Sequence, residues 1–199
     1  SSVAITDALE ADKVAGGGVF VHFDNISGKK AEVYVDTEVH NSGKRTRTVA
    51  VETVLVDAGD VPVKRVSQQV KLQAGESKTV RQRFAVRNPK LWSPDSPYLY
   101  RIQSRVKAGH EVLDGGVTRV GIRKAEFKGK DGFWLNGKPF GQLVGANRHQ
   151  DFAYVGNALP NSQQWRDAKR LRDAGCTIIR VAHYPQDPAF MDACDEMGL

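Results

Sequence analysis

The hydrophobic period of this chain changes once, near Ile122, and that change limits the fold more than any other feature. From about Val19 to Val120, apolar residues recur at every second position. Between Ala31 and His40, Val33, Val35, Thr37 and Val39 alternate with Glu32, Tyr34, Asp36 and Glu38. Val49, Val51, Thr53 and Leu55 repeat the pattern, as do Val80, Gln82, Phe84 and Val86, and Tyr98, Tyr100, Ile102 and Val106. Successive side chains of a strand point to opposite faces, so this alternation describes strands with one buried face. Turn sequences separate them: Asn41-Ser42-Gly43, Asp57-Ala58-Gly59-Asp60, Ala74-Gly75-Glu76 and Asp114-Gly115-Gly116. About seven strands in about a hundred residues is the size and spacing of an immunoglobulin-like sandwich. Its expected span is 19–123, after a polar, glycine-rich N-terminal segment, 1–18.

Beyond Ile122 the pattern becomes strand, helix, strand, helix. Phe133 to Phe140 reads as a hairpin around Asn136-Gly137, a tight-turn pair. Leu143 to Ala146 is a short apolar strand. A helix follows, with Asn161 or Ser162 expected as its N-cap, Trp165, Ala168 and Leu171 as its apolar stripe and Gly175 as its stop. Cys176 to Val181 reads as a second strand. Asp187 then caps a second helix, with Pro188 in its first turn and Gly198 at its end. Such βα units form parallel sheets. Two of them cannot close a (β/α)8 barrel, which needs about 250 residues. The expected architecture is therefore mainly β: a sandwich, then a linker hairpin and the first two βα units of a partial barrel over 124–199, cut from a longer protein.

Composition excludes some functions. The formal net charge is +6, but acidic residues are interspersed among the basic ones. The densest groups, Arg81-Gln82-Arg83 and Lys169-Arg170-Leu171-Arg172, fall on an alternating strand and an amphipathic helix, as solvated faces do. No basic stripe interleaves with aromatic residues, so a nucleic-acid partner is not expected. Cys176 and Cys194 lie outside the sandwich, in no metal-binding spacing, and read as buried free thiols. No apolar run is long enough to span a membrane, and no membrane partner is expected. Periplasmic, secreted and cytoplasmic locations all stay open.

Chemistry concentrates in the second half. Asn147, Arg148 and His149 follow the first βα strand; Arg180 and His183 sit at the C-terminal end of the second, with Tyr184 after them. The C-terminal ends of barrel strands form the active-site face. Two neighbouring strands that each deliver an Arg and a His are expected to point them into a shared hollow that binds a polyol. The bland alternative has each His capping a loop and each Arg paired with a nearby Asp. A metal on His149 and His183 lacks a carboxylate at ligand spacing.

These residues also carry a family resemblance. Gly145-Ala146-Asn147-Arg148-His149 resembles the G-V-N-R-H segment of family 2 glycoside hydrolases of the β-galactosidase kind. Ile179-Arg180-Val181-Ala182-His183-Tyr184-Pro185 resembles their V-R-x-S-H-Y-P segment, and the run from Asp192 to Leu199 their C-D-x-x-G-L helix. Leu91-Trp92-Ser93-Pro94 through Leu99-Tyr100, Gly121-Ile122-Arg123 and Leu135-Asn136-Gly137-Lys138-Pro139 are similar to further family segments in the same order. The resemblance implies retaining hydrolysis of a terminal β-linked sugar. It implies that Asn147, Arg148, His149, Arg180, His183 and Tyr184 bind the carbohydrate substrate, the two histidines on sugar hydroxyls and Arg180 beside the nucleophilic carboxylate. It also implies that both catalytic glutamates lie beyond Leu199, so this chain alone contains no catalytic residue and hydrolyses nothing. Arg148, where β-glucuronidases usually have Lys, favours a β-galactosidase over a β-glucuronidase or β-mannosidase. The rival outside the enzymes is a non-catalytic carbohydrate-binding sandwich. No cofactor is expected in this fragment, though the resemblance leaves room for a divalent or monovalent metal in the intact enzyme. It leaves room too for a homo-oligomer through exposed barrel elements or the sandwich. The loop Gln150 to Pro160 departs from the family pattern, with Phe152 and Tyr154 positioned to stack on sugars or simply to pack.

Overall fold

A computed structural model describes residues 2–11, 13–14 and 16–199. They divide into two compact units. Ser1–Pro89 with Tyr100–Ile122 forms the first, and Lys90–Leu99 with Arg123–Leu199 the second.

The first unit holds β1 (Val3–Ile5), β2 (Val19–Asp24), β3 (Lys30–Asn41), β4 (Arg47–Val56), β5 (Pro62–Leu72), β6 (Ser77–Arg87), β7 (Tyr100–Ala108) and β8 (Glu111–Val120). All pairings are antiparallel. In one sheet β3 pairs with β6 along one edge and with β2 and β1 along the other; the second sheet runs β5-β4-β7-β8. Val3, Val39 and Val80 of the first sheet join Val49, Val51, Leu72 and Val106 of the second in one core cluster. Each such side chain, fully buried, contributes about 1.5–3 kcal/mol. Gln82, polar but on the inward face, is satisfied there. Its Nε2 donates to the Val51 carbonyl (2.9 Å), and its Oε1 accepts from the Thr53 hydroxyl (2.5 Å). The expected immunoglobulin-like sandwich is the observed one.

Two boundaries differ from the sequence reading. Val3–Ile5, placed in the N-terminal segment, is a strand of the first sheet; three residues are too few to show a period. Lys90–Leu99, placed in the sandwich, belongs to the second unit because Trp92 is anchored there. Its indole Nε1 donates to the Asp195 carbonyl (2.7 Å), its own carbonyl accepts from Asn136 Nδ2 (2.9 Å), and the Arg123 guanidinium lies 4.7 Å from its ring.

The second unit continues with β9 (Ala125–Phe127), a 3-10 turn (Gly129–Asp131), β10 (Phe133–Leu135) and β11 (Lys138–Gly141). Both turn residues of the β10–β11 hairpin are left-handed, Asn136 at φ 52° and Gly137 at φ 79°, as a tight two-residue turn requires. Then come β12 (Gly145–Arg148), α1 (Asn161–Asp173), β13 (Ile178–Val181) and α2 (Pro188–Met197), with β12 and β13 parallel. These are the two βα units. Asn161 is already helical, so Pro160 occupies the N-cap and no side chain caps α1. Asp187 caps α2 as expected, accepting from the Ala189 amide (2.8 Å). Ala168, Phe190 and Ala193 form the core between the helices, with Trp165, Leu171 and Ile179 packed against it. A cleft of about 410 Å³ opens beside them, lined by Phe127, Phe133, Phe140, Phe190, Met191 and Leu199 among others.

Candidate functional site

Strand pairing sets the geometry of the site. Asn147 lies opposite Arg180, and Arg148 opposite Val181. In a parallel pair, opposed residues share a face, and the face alternates along each strand. Asn147 and Arg180 therefore project together from one face, and Arg148 projects from the other.

The Asn147 face is open. Arg180 Nη1 donates to Asn147 Oδ1 at 3.4 Å, a long contact that leaves most of the guanidinium uncommitted. The pair lines a shallow hollow of about 490 Å³ with Leu143, Gly145, Ala146 and Ile178. Gly145 is required there. A Cβ on it would lie 1.8 Å from the Ile178 carbonyl oxygen, inside the backbone of the neighbouring strand.

The histidines gather just past the same strand ends. His149 and His183 are exposed and meet edge to face, with ring centroids 5.2 Å apart, and Tyr184 stands 6.3 Å from His149. The Gln150 amide donates to the Tyr184 hydroxyl (2.9 Å), and Gln150 Oε1 accepts from the Asp187 amide (2.6 Å). The rim is thus tied to the first turn of α2. Neither histidine lines the hollow that holds Asn147 and Arg180.

Arg148 is turned away. It is 6% exposed and reaches into the helices, donating to Gln186 Oε1 (2.5 Å), Gln164 Oε1 (2.6 Å) and Asp167 Oδ2 (2.9 Å). Its guanidinium lies 4.0 Å from the Phe190 ring. Among the described residues its Nε has no hydrogen-bond partner. Expected in a shared hollow, it instead follows the bland alternative of an Arg paired with a nearby Asp, because strand alternation directs it to the helix side.

Five positioning residues escaped the sequence reading: Gln150, Gln164, Asp167, Gln186 and Asp187 in its contact to Gln150. One signal was present. Gln164 falls four and seven residues before Ala168 and Leu171, on the apolar stripe of α1, and a glutamine there must find a partner. Among the described residues, no three His, Cys, Asp or Glu side chains gather in a cluster fit to hold a metal ion.

Comparison with known proteins places these elements in a family. The profile described as "Glycosyl hydrolases family 2" matches residues 18–123, and that of the same family's TIM barrel domain matches 126–199. A β-galactosidase of Thermoanaerobacter pseudethanolicus is 35% identical over 182 residues, which cover 91% of this chain and 24% of that protein. A β-glucuronidase of Formosa agariphila is 30% identical over 190 residues, covering 94% of this chain and 19% of that one. The crystal structure of a Bacteroides uniformis β-glucuronidase superposes on all of this chain with a TM-score of 0.90 at 28% identity, using 23% of its own length. The chain spans about a quarter or less of these relatives. Sandwich, linker hairpin and first barrel units, in that order, make it a member of glycosyl hydrolases family 2.

Proposed function

We propose that this chain supplies part of the sugar-binding rim of a β-glycosidase. The observation that carries the reading is the Asn147–Arg180 pair on the open face of two adjacent parallel strands, with His149, His183 and Tyr184 at the same strand ends. A sugar hydroxyl both donates and accepts, and this group offers both. Asn147 carries an amide and a carbonyl, each imidazole one donor and one acceptor when neutral, and Arg180 only donors. Arg180, loosely held, is suited to orient a carboxylate and keep it ionised.

Retaining hydrolysis needs two carboxyl groups about 5 Å apart. No Asp or Glu of this chain stands in a matching motif, so both are assigned to later strands of the whole enzyme. The finer reading is a β-galactosidase. Relatives named β-glucuronidase keep a second reading open.

The test is a panel of aryl β-galactoside, β-glucuronide and β-mannoside on the full-length parent and on this chain. The parent is expected to hydrolyse the galactoside, and the chain none of the three. Arg180→Ala or His183→Ala in the parent should lower kcat/KM by about a hundredfold or more, the scale of losing a transition-state contact. Turnover by the chain itself, or variants within about twofold of the parent, would overturn the reading.

A further inference from the structure

The charges interspersed along the sequence separate by face in the sandwich. On the first sheet, strand register places Lys30, Arg81, Arg83 and Arg87 outward against Asp24, Glu32, Asp36 and Glu38. Four cations meet four anions, several as ion pairs: Arg81–Asp36, Arg83–Glu32 and Lys30–Glu32. Lys13, from outside the strands, also pairs with Glu38, so that face is within one charge of balance.

The second sheet is not balanced. Its outward positions carry Arg65 and Lys71 on β5, Arg101, Arg105 and Lys107 on β7, and Arg119 on β8. The one acidic residue facing outward from β4 among them is Glu52, and Asp60 reaches Arg101 from the β4–β5 turn. Even with Arg119 left out, five cations against two anions leave an excess of three on this face. Arg65 and Arg105 have side chains 57% and 43% exposed.

Glu52 shows what this face holds well. Its carboxylate is buried beneath Arg65 (2.9 Å), Arg105 (3.7 Å) and Lys107 (3.8 Å). Three cations converge on one carboxylate, so the positive potential extends past it. Ser67, Gln69 and Gln103 stand between the cations with hydroxyl and amide groups. Among the described residues, no outward position of these four strands carries an aromatic ring. A nucleobase would find nothing to stack on, whereas hydroxyls and carboxylates would both find partners.

We propose that this face binds an acidic polysaccharide, a polyuronate with one carboxylate per sugar. The choice of a sugar polymer rests on the glycosidase reading; the charge asymmetry does not. An open sheet face suits a chain that makes many shallow contacts rather than a small ligand, which needs a pocket.

The experiment is isothermal titration of the 199-residue chain with polygalacturonate, neutral dextran and oligothymidine matched for charge. Polygalacturonate is expected to bind, dextran not to bind, and oligothymidine to bind more weakly. Raising salt from about 50 to about 200 mM should weaken binding by about tenfold or more, since the contacts are exposed charges. R65Q/R105Q should weaken it by about tenfold, whereas R81Q/R83Q, which removes the same charge from the balanced face, should stay within about twofold. If R65Q/R105Q fails to fold, E52Q/R65Q/R105Q removes the buried carboxylate along with its partners and serves instead. Absent polygalacturonate binding, equal losses in the two double variants, or equally tight oligothymidine each overturns the proposal. None of these outcomes bears on glycoside turnover by the parent, so the two readings fail separately.

Discussion

Replacing Arg148 by Met separates a brace between strand and helices from a sugar contact. Methionine keeps an apolar stem against Phe190 but withdraws the hydrogen bonds to Gln186, Gln164 and Asp167. All three have an ionised donor and contribute about 1.5 kcal/mol each, at the low end of the charge-assisted range. Apolar contact regained by methionine offsets about 1 kcal/mol. Losing one partner of a buried ion pair costs about 3–5 kcal/mol, and Asp167, at 23% exposed, recovers some hydration, so the low end applies. The expected loss is about 3 kcal/mol, all of it in the second unit. The assay is urea denaturation followed by tryptophan emission. Trp92, Trp134 and Trp165, the chain's three tryptophans, all belong to the second unit, so the signal reports on it alone. Asp167→Asn should cost less, and R148M/D167N should fall short of the sum of the single losses by about 1 kcal/mol. A loss below about 0.5 kcal/mol for Arg148→Met would refute the structural role.

Gly145→Ala should destabilise the same unit by about 3 kcal/mol or more, because its Cβ meets the Ile178 backbone and not a movable side chain; an unchanged tryptophan midpoint would contradict this. In the sandwich, hydrogen bonds from Lys30, Asn25 and Arg83 lower the pKa of Glu32 from 4.5 to about 2. A depressed carboxylate stabilises the fold above its unfolded pKa and loses that contribution as pH falls through the folded value. Thermal midpoints should therefore drop between pH 4.5 and about 2, and Glu32→Gln should flatten that acid limb; a parallel slope in the variant would exclude Glu32 as its source. Burial pushes the Cys194 thiol from 9.0 up to about 11. At pH 8 it should carry about a hundredfold less thiolate than an ordinary cysteine and alkylate correspondingly slowly, as timed mass spectrometry with iodoacetamide would reveal.

How much of this was legible in the sequence depended on the contrast between faces. β3 reads clearly because its inward valines oppose charged neighbours. On β5 the inward positions include Lys64 and Gln68, so alternation there is eroded although the strand runs for eleven residues. At the candidate site, residue types and their strand-end placement were visible, because barrel rims concentrate polar groups. The direction of Arg148 was not. On a four-residue strand one position decides the phase, and an Arg reads equally well as ligand or brace until the partner strand is known. Its acceptors Gln164 and Gln186 lie 16 and 38 residues away, beyond any local pattern.

The ten residues from Lys90 to Leu99 have a consequence for how the chain can be divided. The polypeptide leaves the sandwich after β6, visits the barrel unit, and returns to lay down β7 and β8. Neither unit is a cassette, and no single cut or crossover point exchanges one for another. A protein made only of 124–199 would lack the indole that holds the Asp195 carbonyl, and one ending at residue 89 would lack half of its second sheet. During synthesis Trp92 emerges 103 residues before the carbonyl it binds, so its anchor can form only after β7 and β8 have both been made.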